Sequence, residues 1–203
     1  MNVFEAIESR RSVKQYDPSH VMPEADIARL IELAKIAPTS FNIQNYRFVI
    51  VRDPGLRQQI RAAAWDQAQV TDASLLVILC ANLNAHADEP ARYWAHAPQP
   101  VQDAVVPMIT PFYAGNERLI RNEAMRSTAF AGMTLMLAAR GLGYDSCPMA
   151  GFDAEAVAKL IRLPDDHVIS FLLPIGKAIQ APLPRGERLP DSEVVVCDRF
   201  PAA

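Results

Sequence analysis

The chain has 203 residues, half of them hydrophobic and about a fifth charged, which is the composition of a folded domain with a sizeable core rather than a disordered chain. A net charge of −3 argues against a protein-wide nucleic-acid surface, so any basic cluster is a local site in a mildly acidic protein. Cys80, Cys147 and Cys197 are far apart and odd in number, and His20, His86, His96 and His167 lack close ligand spacing, which argues against a structural disulfide or a metal site.

Glu5 and Glu8 stand where an export signal would be apolar, and the longest apolar stretch, Ser127 to Ala139, is shorter than the ~20 residues that span a bilayer. The expectation is a cytoplasmic protein of a single domain over 1–203, with no membrane and no nucleic-acid partner. Val3, Phe4 and Ile7 recur at helical spacing, predicting a first helix with one face anchored in a core. That helix runs into Arg10-Arg11-Ser12-Val13-Lys14, three cations and a hydroxyl within five residues. Guanidinium forks, a short hydroxyl and an ammonium fit a phosphate; the same cations could instead close the helix on its last carbonyls. Val13 starts an alternation that turns Ser12 and Lys14 to one side of an extended exit.

Further along, Pro23 opens a helix to about Ala37, with Ile27, Leu30, Ile31 and Ala34 inward, and Pro38 stops it. Pro38-Thr39-Ser40-Phe41-Asn42-Ile43-Gln44-Asn45 is a polar loop, either a plain turn or a rim that hydrogen-bonds a ligand, set before a strand from Arg47 to Arg52. Asp53-Pro54 caps a helix to about Ala64, and Leu75 to Ala81 is a continuous apolar run suited to a central strand covered on both faces. Residues 84 to 118 are broken by prolines and read as short helices around the mouth of a site. Glu117 to Arg140 is the strongest helix, apolar nearly all round from Ala124 to Ala139, which predicts burial on every side and a dimer core. Tyr144 to Cys147 is a short strand before Pro148-Met149-Ala150-Gly151-Phe152, where the glycine serves a tight turn or close approach to a flat ligand. Asp153 caps a helix to about Arg162, and His167 to Ile175 is a strand. The tail 178–203 is a proline-rich arm with strand propensity over Glu193 to Cys197, and it carries Arg185 and Arg188.

In this order, the segments Arg10–Lys14, Pro38–Gln44, Cys147–Asp153 and Leu183-Pro184-Arg185-Gly186-Glu187-Arg188 resemble the FMN-dependent nitroreductase family, in the branch of NAD(P)H nitroreductases with Cys-Pro-Met in the third segment. The resemblance implies an α+β fold with a mainly antiparallel central sheet flanked by helices, in an intertwined homodimer whose C-terminal arms embrace the partner. It implies FMN as cofactor and NAD(P)H as donor, with hydride passed in ping-pong fashion to a small-molecule acceptor such as a nitroaromatic or quinone. Carried over by position, Arg10, Arg11, Ser12, Arg185 and Arg188 surround the FMN phosphate and Lys14 lies near N1 and O2 of the flavin. Thr39, Ser40 and Asn42 reach the cofactor from the other subunit, and Gln67, Gln69, Met149, Ala150 and Gly151 complete the binding set, the last two with backbone N–H near N5. No protein nucleophile is implied, because the flavin carries the chemistry. Ala150 stands where the family often has Glu, Gln69 where some members have a second flavin-facing Lys, and Asp66 or Gln67 where some have Asn. The alternatives are a non-catalytic flavin-binding or redox-sensing dimer, or an FMN enzyme of the same fold with another reaction, such as reductive dehalogenation or flavin breakdown.

Overall fold

The computed structural model describes residues 1–200. Four strands, β1 (Tyr46–Val51), β2 (Leu75–Asn82), β3 (Asp145–Ser146) and β4 (His167–Gly176), form a sheet ordered β1-β2-β4-β3 in which every neighbouring pair is antiparallel. Around it lie α1 (Val3–Ser9), α2 (Glu24–Ala34), α3 (Pro54–Ala63), α4 (Gln69–Asp72), α5 (Gln99–Tyr113), α6 (Glu117–Gly141), α7 (Ala154–Leu160) and the single turn α8 (Asp191–Val194). This is the α+β, mainly antiparallel architecture expected; the parallel contribution is an isolated bridge between Ser12 and Ser146. No helix among the described residues is long and apolar enough to cross a membrane.

The continuous apolar run of β2 is explained by its neighbours. Leu75, Val77 and Leu79 point into a cluster with Ile27 and Leu30 of α2 and Leu135, Met136 and Ala139 of α6. Leu76, Ile78 and Cys80 point the other way, against Ile60 of α3 and Val157 of α7. Every residue of β2 is buried, so the strand contributes to two cores at about 1.5–3 kcal/mol per large side chain. β4 serves the same cores with one irregularity. Leu79 pairs with Phe171 and Cys80 with Ile169, which leaves Ser170 as an extra residue. The bulge lets Ile169 and Phe171, two positions apart, face opposite sides of the sheet.

Several sequence expectations give way here. α1 does not anchor its apolar face within the chain: Val3, Phe4 and Ile7 are exposed, Phe4 at 73%, because α1 is short and only Ala6 turns inward. α6 is buried along one stripe (Ala124, Ser127, Thr128, Ala131, Gly132, Leu135, Met136, Ala139), while Phe130 stays 50% exposed and Met133 is also outward. Burial on every side is therefore not reached within one copy. Region 84–118 holds a continuous helix, α5, that passes through Pro107 and Pro111. Both prolines are on its exposed side, so each removes one outer hydrogen bond, while Ile109 and Tyr113 hold the helix to Ile43 and Tyr93 on the inner side. Pro23 is the N-cap of α2 rather than its first helical residue. Glu193 to Cys197 is not a strand; α8 winds Asp191–Val194 into a helical turn closed by Val195 N–H to Asp191 O.

Gly132 shows how tightly α6 sits on the sheet. A Cβ there would stand 2.2 Å from Cζ of Phe171 and 3.1 Å from Cδ2 of Leu79. Gly132→Val should therefore lower unfolding free energy by roughly 1–3 kcal/mol through overpacking, read as a fall in the urea midpoint; an unchanged midpoint would show that Phe171 moves freely.

Candidate functional site

The site begins where α1 ends. Asn2 and Glu5 form a reciprocal capping box, with Asn2 Oδ1 accepting from Glu5 N–H at 3.0 Å and Glu5 Oε2 accepting from Asn2 N–H at 2.9 Å. The helix stops at Arg10, whose backbone is extended (φ −61°, ψ 129°). Val13 is then pulled inward, its N–H donating to Ser146 O at 3.1 Å, and Tyr16 is buried beside it. This leaves Ser12 and Lys14 on the outer side; the alternation ends there, since Gln15 is exposed and Tyr16 turns inward with Val13.

After β4 the chain runs back along the same segment. Asp17 N–H donates to Lys177 O at 2.8 Å, and Ile179 N–H donates to Gln15 O at 3.2 Å. This brings the root of the arm to the end of α1. There Arg185 Nη2 donates to Glu8 O at 2.8 Å and to Arg10 O at 2.9 Å, while Arg11 Nη2 donates to Leu183 O. Closure of the α1 carbonyls, one reading of the basic run, is thus carried out by Arg185 from the arm, which leaves Arg10 free for another role.

Arg10, Arg11, Ser12, Lys14, Arg185 and Arg188 together line a cavity of about 510 Å³. Within it, Arg10 Nη1 is buried and donates to nothing. Burial, and after it the charges of Arg185, Arg11 and Arg188, lower the pKa of Arg10. An anion would supply both the acceptor this donor lacks and the negative charge the cluster lacks. The donor set (guanidinium forks, a hydroxyl and an ammonium) fits a phosphate group.

A second constellation lies where the strand after Ser146 leaves the sheet. Met149 and Leu172 exchange backbone bonds at 2.8 and 3.1 Å, and the Met149 side chain is buried in the core beside Ile78 and Leu172. Beyond it the chain turns at Ala150 and Gly151. Gln67 Nε2 donates to Gly151 O at 2.8 Å, and Gln69 Nε2 donates to Gln67 Oε1 at 3.1 Å. The indole of Trp65 covers Gly151 so closely that a Cβ there would stand 2.7 Å from its Cζ3. The parallel bridge between Ser12 and Ser146 runs Lys14 alongside the approach to this turn. Burial pushes the Cys147 thiol up, with Lys14 and Arg10 pulling it the other way.

Thr39, Ser40 and Asn42 do not line the basic cavity. They form a tight loop in which Phe41, Asn42 and Gln44 all have positive φ (51°, 56° and 42°). The conformation is held by Gln44 N–H to Thr39 Oγ1 at 3.0 Å, Asn42 Nδ2 to Tyr93 O at 3.2 Å and Trp94 Nε1 to Phe41 O at 3.0 Å. Strain at three non-glycine residues is a cost that a plain linker does not carry. Neither this strain nor the Trp65 cover on Gly151 has a sequence signal, since Trp65 and Asp66 also reach positive φ without a glycine to mark the turn.

The nitroreductase family model matches residues 7–177. The chain is similar to the protein DrgA of Synechocystis, 51% identical over 87% of this chain and 84% of that one. It is also similar to an NADH dehydrogenase of Thermus thermophilus, 34% identical over 92% and 91% of the two chains. Among solved structures, that of an Exiguobacterium sibiricum protein in complex with FMN superposes with a TM-score of 0.90 at 27% identity, covering 97% of each chain. With a family match over most of the length and the same fold throughout, the chain belongs to the nitroreductase family.

Proposed function

We propose that the protein is an FMN-dependent oxidoreductase that takes hydride from NAD(P)H and passes it, in ping-pong order, to electron-poor acceptors such as nitroaromatics and quinones. The observation that carries this reading is the buried, unpartnered Arg10 Nη1 inside a cavity lined by three further arginines. A phosphate monoester supplies the missing acceptor and the missing negative charge. Two of the similar proteins support the choice of group and donor, one by its complex with FMN and one by its name as an NADH dehydrogenase.

FMN, when bound, supplies a ring that accepts and releases two electrons with a proton. The residues of the chain do the rest. Arg10, Arg11, Ser12, Arg185 and Arg188 hold the phosphate, and the α1 carbonyls tie Arg185 in place from behind. Lys14, exposed on the Ser12 side, sets a positive charge beside the ring and favours the state carrying more negative charge. Ala150 and Gly151 offer backbone N–H groups, with Gln67, Gln69 and Met149 supporting the turn. No protein group is needed as nucleophile.

The reading includes a cytoplasmic homodimer. Phe4 of α1 and Phe130 and Met133 of α6 are large apolar side chains that one copy leaves in water. β1 is an edge strand of the sheet, and the arm from Leu183 to Phe200 is exposed. A second copy covers the first, accepts the arm, and brings its Thr39, Ser40 and Asn42 to the cavity.

Arg10→Ala should weaken FMN binding roughly ten- to a hundredfold, the loss of charge-assisted bonds worth about 1.5–3 kcal/mol each; equal affinity in a fluorescence titration would remove Arg10 from the site. Lys14→Ala should lower the reduction potential of bound FMN, and an unaltered potential would contradict its role. Phe130→Asp should convert the dimer to monomer in sedimentation velocity, whereas an intact dimer would place the interface elsewhere.

A further inference from the structure

The family resemblance implies that Gln67 and Gln69 touch the cofactor, but in the structure both amides are engaged with protein. Gln67 Nε2 donates to Gly151 O at 2.8 Å and to Ala64 O at 3.1 Å, while its Oε1 accepts from Gln69 Nε2 at 3.1 Å. The Gln67 amide is therefore saturated in one orientation, and flipping it would turn an oxygen toward two carbonyls. Gln69 is buried at 4% exposure, so the group that fixes the flip is itself held in the core. The backbone of Gln67 is pinned as well, with its N–H on Ala64 O at 3.2 Å and its carbonyl accepting from Val70 N–H at 3.2 Å. Asp66 just before it is tied to Arg61 Nε at 2.6 Å, and Arg61 reaches on to Thr71 Oγ1 at 3.0 Å.

The object of this scaffold is a turn whose carbonyls are bonded and whose donors are not. Ala150 O accepts from Phe152 N–H at 3.2 Å and Gly151 O from Gln67. Asp153 N–H is held by Ala63 O at 2.8 Å, and Met149 is paired with Leu172 on the other flank. Among the described residues, the N–H groups of Ala150 and Gly151 donate to no protein acceptor. Trp65 closes the remaining side of Gly151, with Gln67 Nε2 itself 3.5 Å from where a Cβ would stand.

We propose that Gln67 is a positioning residue, locked by Gln69, which clamps the Gly151 carbonyl and thereby aims the Ala150 and Gly151 N–H groups at an acceptor atom of the bound group. The clamp acts through the backbone and makes no contact of its own with that group. The proposal rests on the FMN reading above. An N–H offered to a ring nitrogen favours the oxidised ring, where that nitrogen accepts, over the reduced ring, where it carries a hydrogen. Loosening the clamp therefore raises the potential, opposite in sign to loss of Lys14.

The test compares wild type with Gln67→Leu, which keeps the volume and removes the donor, and with Gln69→Leu, which frees the Gln67 amide to flip. In FMN-free protein, exchange of the Phe152 amide should be roughly tenfold faster in Gln67→Leu, the factor carried by one ordinary hydrogen bond. In FMN-loaded protein the reduction potential should rise. Gln69→Leu should move both readouts in the same directions by less, and it carries the test alone if Gln67→Leu does not fold. Unchanged Phe152 exchange overturns the clamp. Faster exchange with an unmoved potential overturns its role toward the cofactor. A wild type that takes up no FMN overturns the flavin reading and with it that role; the exchange measurement, made without FMN, separates this from failure of the clamp.

Discussion

Four arginines face one cavity at the end of α1, and one of them holds a buried N–H donor against nothing. Such an arrangement is unfavourable by itself, because Arg10 keeps a buried donor without an acceptor while Arg11, Arg185 and Arg188 set like charges beside it. Much of the surrounding fold can be understood as holding it together. The capping box starts α1 early enough that its last carbonyls lie beside the cluster. The bridges from Ser12 to Ser146 and from Tyr16 to Ala178 fix the strand that leaves it and the chain that returns to it. Arg185 is then held by the helix carbonyls at a separation that Coulomb repulsion from Arg10 would otherwise open. An anion turns this from a liability into a site.

The sheet supplies the rigidity this needs. Because β2 is buried on both faces, its neighbours cannot shift without opening one of two cores. β4 passes that rigidity to the turn at Ala150, through the exchanged bonds between Leu172 and Met149, and to the arm, through Lys177. Basic cavity and donor-bearing turn are thus fastened to opposite ends of the segment Ser146–Met149 and the strand beside it. The aromatic loop of Phe41 belongs to a separate cluster with Tyr93, Ile109 and Tyr113, and its strained backbone is held by that cluster rather than by the sheet. On the outer side, Phe4 and Ile7 of α1 and Phe130 and Met133 of α6 face solvent and belong to neither core.

The sequence made legible whatever rests on local chemistry or strong periodicity. Asp53 and Asp153 accept from the N–H groups of Leu56 and Ala156 as their caps predict, and the apolar run at β2 is central as its composition requires. Arg10 to Lys14 and Arg185 were visible as cations, and the structure brings them to one cavity. What could not be read depends on tertiary pairing. Pro107 and Pro111 are tolerated because they share the outer face of α5, a fact that periodicity alone does not separate from a break. Phe4 and Phe130 carry a core-like pattern whose partner is absent from the chain's own interior. Gln67 and Gln69 are placed near a site by resemblance alone, and that their amides are spent on each other and on Gly151 depends on a fold contact between residues far apart in the chain.

The proposed function requires that the cavity hold a flavin which NAD(P)H can reduce and a small acceptor can reoxidise. The most direct test is the visible absorption spectrum of the purified protein, followed by anaerobic titration with NADH and NADPH and then with a quinone or nitro compound. The expected result is a flavin spectrum that bleaches with at least one donor and recovers with the acceptor. A colourless protein that takes up no added FMN, or a bound flavin that neither donor reduces, would contradict it.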